Sequence, residues 1–144
     1  MARFDVDGIF DFDELLNAGA IPSDVMNQML HSSADVIVKT QKQTADAMLK
    51  GKYATGRLAK SITKGRIKRS KDGSSIEIGF KSGRVRGKNV PRTTSNAEIA
   101  FLNEYGKRGQ PPRPFIQQAN EQCRDEAIET AAKEYDKWLE SKGF

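Results

Sequence analysis

The chain offers few residues that could carry out covalent chemistry. His31 and Cys123 are its only imidazole and its only thiol. A Ser-His-Asp or Cys-His arrangement needs a base within hydrogen-bond reach of its nucleophile, so every such arrangement would have to use His31. That residue sits beside Ser32 and Ser33 on a predicted helix, at a position expected to face solvent. Cys123 has Ala119 and Ala127 four residues to either side in a second predicted helix, and reads as a small buried apolar side chain. A lone cysteine also excludes an internal disulfide and a thiolate metal cluster. Asp125 and Glu126 lie on a solvated helix face, where Glu129 and Lys133 are expected to form an ordinary i,i+4 pair. The spacings Gly79-x-x-x-Gly83 and Gly83-x-x-x-Gly87 match neither a dinucleotide fingerprint nor a phosphate loop, since no strand-to-helix junction carries them. The expectation is a chain without enzyme activity, cofactor, metal or small-molecule substrate.

Binding is the more promising class. Residues 1–51 carry 4 basic and 8 acidic side chains, residues 52–92 carry 13 and 2, and residues 93–144 carry 7 and 9. The net charge of +5 and the pI of 9.4 therefore belong to the middle of the chain. Such an asymmetry suits nucleic acid or further copies of the same chain. The segment from Lys81 to Ser95 concentrates Arg84, Arg86, Lys88 and Arg92 around only two apolar anchors, Val85 and Val90. It reads as an exposed basic loop or arm that contacts DNA backbone or an acidic partner surface. Only Tyr53 and Phe80 fall within the basic stretch, so base stacking and sequence readout are not expected.

The stretch EYGKRGQPPRPFIQQA, Glu104 to Ala119, admits two readings. Pro111-Pro112-Arg113-Pro114 contains a P-x-x-P of the kind that docks in aromatic grooves. It also abuts a long helical pattern, and Pro114 suits a first helical turn, where a missing N–H costs nothing. Arg113, preceding a proline, is biased to extended backbone. The second reading is preferred: Glu104, Tyr105 and Gly106 close one helix, and Pro114 and Phe115 launch the next.

The elements that position these residues follow from periodicity. At 144 residues one domain is expected, with residues 1–20 as a partly ordered N-terminal arm and 21–144 as a single α+β domain. In the arm, Asp13 to Leu16 can form one helical turn. From Val25 the apolar positions recur every three or four residues to Met48, predicting a helix of about seven turns that opens at Ile21-Pro22 and ends at Gly51. A short helix is predicted from about Thr55. Period two then takes over around a Lys71-Asp72-Gly73 hairpin turn, with Ile76, Ile78 and Phe80 on one face. Ser95-x-x-Glu98 is a capping box for a short helix ending at Gly106. The last helix, about 114–140, carries the stripe Ile116, Ala119, Cys123, Ala127, Ala131, Tyr135 and Trp138/Leu139, whose alanines argue for close packing on another helix. The expected fold is a long N-terminal and a long C-terminal helix packed on a small antiparallel β-sheet, with short connecting helices and a basic loop at 81–95. At 37% hydrophobic and 30% charged residues, with a mean hydropathy of -0.65, the core should be thin. No apolar run is long enough to span a membrane, and MARFDVDGIF lacks the layout of a signal peptide, so a cytosolic product is expected.

Two phrases carry a family resemblance. Thr55-Gly56-Arg57-Leu58-Ala59-Lys60-Ser61-Ile62, followed by a basic hairpin, resembles the TGxLxxSI segment of a family of tailed-bacteriophage minor structural proteins, with Thr55, Gly56, Leu58, Ser61 and Ile62 as the matching positions. Ala100-Phe101-Leu102-Asn103-Glu104-Tyr105-Gly106, followed by Pro112-Arg113-Pro114-Phe115-Ile116-Gln117-Gln118-Ala119, resembles that family's second phrase, A-x-x-x-E-x-G and then P-F-x-x-x-A. With the flanking helices the resemblance spans roughly Val25 to Leu139. These are the tail-completion or head–tail joining proteins of long, flexible-tailed phages. The resemblance implies helices on a small antiparallel sheet, assembled as a ring, often hexameric, that completes the tail and joins it to the head. Its implied partners are copies of the chain and other neck and tail proteins, with passive contact to genomic DNA. Its implied location is the virion neck, after synthesis in the host cytoplasm. The alternative from charge alone is a small basic protein that binds nucleic acid non-specifically through the 81–95 arm.

Overall fold

The computed structural model describes residues 2–5, 21–50, 56–71, 73–81, 84–85 and 94–141, with backbone alone at 2–5, 84–85 and 94. Its elements in chain order are β1 (Ala2–Asp5), α1 (Ser23–Met48), α2 (Arg57–Ser61), β2 (Ile62–Ser70), β3 (Gly73–Phe80), β4 (Arg84–Val85), β5 (Thr94–Ser95), α3 (Asn96–Tyr105) and α4 (Phe115–Ser141). The class is α+β, two long helices with a small antiparallel sheet and short connecting helices.

The sequence of α1 dictates what it touches. Pro22 stands at its N-cap position, and the Pro22 carbonyl accepts from the Met26 N–H at 3.1 Å. Val25, Met26, Met29, Leu30, Ala34, Ile37 and Ala45 then form a buried apolar face. The helix stops at Met48, where the Leu49 N–H bonds back to Ala45. This precedes the expected stop at Gly51, which lies outside the described residues, as does the proposed helical turn at Asp13 to Leu16.

Antiparallel to α1 runs α4, and the two make the most extensive contact between described elements. Three hydrogen bonds fix their register: Ser32 Oγ to Glu134 at 3.5 Å, Ser33 Oγ to the Ala127 carbonyl at 3.0 Å, and Gln41 Nε2 to Asn120 Oδ1 at 2.9 Å. Phe115, Ala119, Cys123, Ala127 and Ala131 are the buried residues of α4. Four small side chains in steps of four leave a shallow groove, and the Ser33 hydroxyl reaches the α4 backbone through it. Buried Ser33 and Gln41 are thus satisfied, which removes the cost of burying an unpaired polar group. Burial pushes the Cys123 thiol above its ordinary value of 9.0, while the Thr40 hydroxyl beside it pulls the other way. The expected Glu129–Lys133 pair does not form; one turn on, Lys137 reaches Glu134 at 3.6 Å.

The sheet lies against another side of α1, in the order β1-β3-β2 with all pairs antiparallel. The weak alternation of β2 has a specific cause. Ile62 and Ile67 are five residues apart, an odd spacing that places them on opposite faces of a regular strand. The register shifts between Lys64 and Ile67, where three steps on β2 match two on β3. This bulge returns Ile67 to the face of Ile62, opposite Ile76 and Phe80 respectively. Lys64 and Arg69 share that face and reach the rims of α1, Lys64 to Asp35 at 2.7 Å and Arg69 to Asn27 at 3.3 Å.

Two regions read as irregular are strands. Ala2–Asp5 shows no period in sequence, yet it pairs with β3 from Ala2↔Ile78 to Asp5↔Ser75. The expected 81–95 loop contains a ribbon, with Arg84 opposite Ser95 and Val85 opposite Thr94. These three strands are too short for alternation to register, and backbone pairing alone defines them.

The α1–α4 groove yields a prediction. Ala127→Leu places three extra heavy atoms where the Ser33 hydroxyl reaches the backbone. Overpacking of this kind costs about 1–3 kcal/mol, which should lower the melting temperature measurably. An unchanged melting temperature would contradict the close packing.

Candidate functional site: the joint between the last two helices

The second family-like phrase folds into one compact joint. Ser95 begins α3, its hydroxyl accepting the Glu98 N–H at 3.2 Å. Gly106 ends it, with its N–H on the Leu102 carbonyl at 2.9 Å and a left-handed φ of 80°. A Cβ at Gly106 would stand 2.9 Å from the Pro112 nitrogen and 3.0 Å from the Gln110 carbonyl oxygen. Both the φ and the close approach therefore require glycine. The chain then reverses through a tight turn in which Lys107 and Gln110 exchange backbone hydrogen bonds of 3.0 and 2.9 Å, with Gly109 at φ 83°.

Two side chains of α3 lock the return. Asn103, buried, donates to the Ile99 carbonyl and accepts at Oδ1 from Arg113 Nη2 at 2.7 Å and Gln110 Nε2 at 3.3 Å. Its own carbonyl accepts the Arg113 N–H at 2.6 Å. Glu104 then takes over at the start of α4. Its two carboxylate oxygens accept the backbone N–H groups of Ile116 at 2.9 Å and Gln117 at 3.0 Å.

That pair of bonds explains the proline. Pro114 occupies the N-cap position rather than the first helical residue: α4 begins at Phe115, and the Pro114 carbonyl accepts the Gln118 N–H at 3.1 Å. An N-cap side chain ordinarily satisfies the second or third amide of its helix, and proline has no acceptor for that. Glu104, ten residues earlier in the chain, does so for both amides and sets a negative charge at the positive end of the α4 dipole. Phe115, fully buried, anchors the first turn in the core.

The first family-like phrase is placed beside the second. Gly56 is left-handed at φ 73° ahead of α2, Leu58 packs against the core, and Ile62 opens β2 in the core. Ser61 is buried; its carbonyl accepts the Lys81 N–H at 2.7 Å, while the Lys81 carbonyl accepts from Asn96 Nδ2 at 3.2 Å. The exit of β3 is thereby gripped between α2 and α3, which also pack together. Thr55 lies outside the described residues.

Other expectations fare differently. Arg84 is described only as the backbone of β4, and Arg86, Lys88 and Arg92 lie outside the described residues. His31, expected to face solvent, is half-buried, and its Nδ1 is buried without a hydrogen-bond partner among the described residues. Tyr105, grouped with the joint, lies on its surface and is 68% exposed, as Phe101 one turn earlier is 61% exposed. Their rings meet at 4.8 Å between centroids. The buried residues of α3 are Asn96, Ala100 and Asn103, so the helix turns small and polar side chains inward and two aromatics outward. Sequence reading missed Asn103 and Arg113. The available signal was the 96-100-103 spacing, which is that of a buried helix face, but its polar members conceal it.

No protein-family model, no curated protein and no solved structure matches the chain. Among the described residues, no helix is long and apolar enough to cross a membrane.

The joint gives a graded prediction for thermal or denaturant unfolding. Phe115→Ala should cost about 3–5 kcal/mol. Glu104→Ala, which exposes two amides to solvent competition, should cost about 0.5–2 kcal/mol, the range of a lost cap. Gly106→Ala should exceed the roughly 1–2 kcal/mol of a left-handed backbone penalty, because its Cβ also meets backbone. Pro114→Ala should stay within about 0.5 kcal/mol, as for substitutions that remove no special feature. A Phe115→Ala variant as stable as the parent would contradict the joint.

Proposed function

We propose that the chain is a virion structural protein of a tailed phage or prophage, in the neck or tail end, where it completes the tail and joins it to the head by assembling as a ring. The observation that carries this reading is the meeting of the two family-like phrases. They lie 38 residues apart, from Ile62 to Ala100, yet α2 packs on α3 and Lys81 is held from both sides. A resemblance spread over two phrases has more weight when the residues share one structural unit.

Surface character supports the same reading. The described core is built mainly of alanines, isoleucines, Met26, Met29 and Leu30, with Phe115 as its one fully buried ring. A small core of that kind gains from further burial between subunits. The basic middle and acidic ends supply the two unlike patches that a closing, head-to-tail contact needs. The partners on this reading are copies of the chain, other neck and tail proteins and, in passing, genomic DNA. The location is the virion, after synthesis in the host cytoplasm.

Light scattering across a wide concentration range tests the reading. The expected outcome is a discrete assembled species at a fixed small multiple of 16.0 kDa. A strict monomer at every concentration would overturn autonomous ring assembly. If that monomer also bound DNA, with affinity lost on neutralising Arg84, Arg86, Lys88 and Arg92, it would be a small basic nucleic-acid-binding protein instead.

A further inference from the structure

The joint presents an apolar surface that its own packing does not use. Phe101 and Tyr105 are the exposed large hydrophobic side chains among the described residues. Their rings meet at a tilt one turn apart on α3, and Tyr105 borders an open hollow of about 520 Å³ lined also by Gly106, Gly109, Gln110, Pro111 and Pro112. Lys107 also lines the hollow, and Arg108 follows it. Both are exposed, and neither makes an ion pair among the described residues. The floor is rigid. Ser95 caps α3, Gly106 closes it, and the Asn103 and Glu104 bonds fix the return strand. A preordered aromatic surface with uncompensated positive charge at its edge fits an acidic polypeptide bearing aromatic side chains.

We propose that this patch receives residues 6–20 of a second copy of the chain. In sequence, that stretch holds Asp7, Asp11, Asp13 and Glu14 with no basic residue. Among the acids stand Phe10 and Phe12, flanked by Ile9, Leu15 and Leu16. Charge and aromatic content thus both complement the patch. The other acidic candidate is the exposed face of α4 with Glu121, Asp125 and Glu129. Residues 116–134 contain no aromatic side chain to fill the hollow, so that face is the poorer fit. Donor segment and receiving patch are different parts of the chain. Each copy therefore gives to one neighbour and receives from the other, the heterologous contact from which rings close. The inference rests on the ring reading and names the surfaces that would make its contact.

Cross-linking between distinguishable copies tests it on the full chain. In a Cys123→Ala background, one size-tagged copy carries Asn17→Cys. An untagged copy carries Ala97→Cys, one turn before Phe101 on the exposed face of α3. A short bis-maleimide added to the mixture should join tagged to untagged chains. Phe101→Ser with Tyr105→Ser in the receiving copy should cut that yield at least about tenfold, as expected for central aromatic anchors. Three results would overturn the inference: no mixed product, a mixed product indifferent to the two serines, or a doubly substituted chain that closes only on itself. Light scattering of the parent chain separates the two levels. Assembly without the mixed product leaves the ring standing and removes this contact, whereas no assembly removes both.

Discussion

The carboxylate of Glu104, set against the first turn of α4, is the interaction on which the arrangement of the C-terminal half depends. A helix start leaves its first amides without intrahelical acceptors, and α4 begins after a proline that cannot supply one. Glu104 provides both acceptors from the last turn of the preceding helix. In doing so it fixes where α4 begins relative to α3. Phe115 is delivered to the core, and Asn103, its neighbour on α3, holds the returning chain through Arg113. A short loop with three prolines and two left-handed glycines thereby becomes a fixed angle between two helices.

From that fixed start, α4 runs antiparallel along α1, and small residues let the two helices close on each other. The same α1 meets β2 and β3 on another side, where its polar rim reaches Lys64 and Arg69. One helix is therefore shared between two packing layers. Bulk is scarce in this interior, and hydrogen bonds through Ser33, Gln41 and Asn103 supply register where large side chains would otherwise do so. The outward turn of Phe101 and Tyr105 follows from the same economy: α3 spends its inner face on Asn96, Ala100 and Asn103, leaving its aromatics to the surface.

Much of this was legible in the residues, and the failures have physical reasons. The long helices were written in runs of three and four, the hairpin in Ile76-x-Ile78-x-Phe80, and the α3 cap in Ser95 and Glu98. Gly106 was readable as a stop because a glycine readily takes the positive φ that ends a helix. The strand Ala2–Asp5 was not legible, because four residues among acids carry no period and the backbone of β3 defines the pairing. The poor alternation of β2 concealed a bulge rather than a weak strand. The sequence places Pro114 one position too far into its helix, since a cap supplied by a residue ten positions away leaves no local mark. Asn103 is not legible in sequence, because a polar residue on a buried face is intelligible only once its partners, Gln110 and Arg113, are in place.

The Glu104 clamp turns a proline-rich linker into a fixed joint and so supports any surface that the joint presents. Residue-resolved hydrogen exchange of the Ile116 and Gln117 amides tests this most directly. Uncapped first-turn amides exchange nearly as fast as those of an open chain, because no intrahelical acceptor protects them. The clamp predicts protection at both amides comparable to the middle of α4 in the parent chain, and its loss at both together in Glu104→Ala, which removes both acceptor oxygens. Free exchange at Ile116 and Gln117 in the parent chain would contradict it.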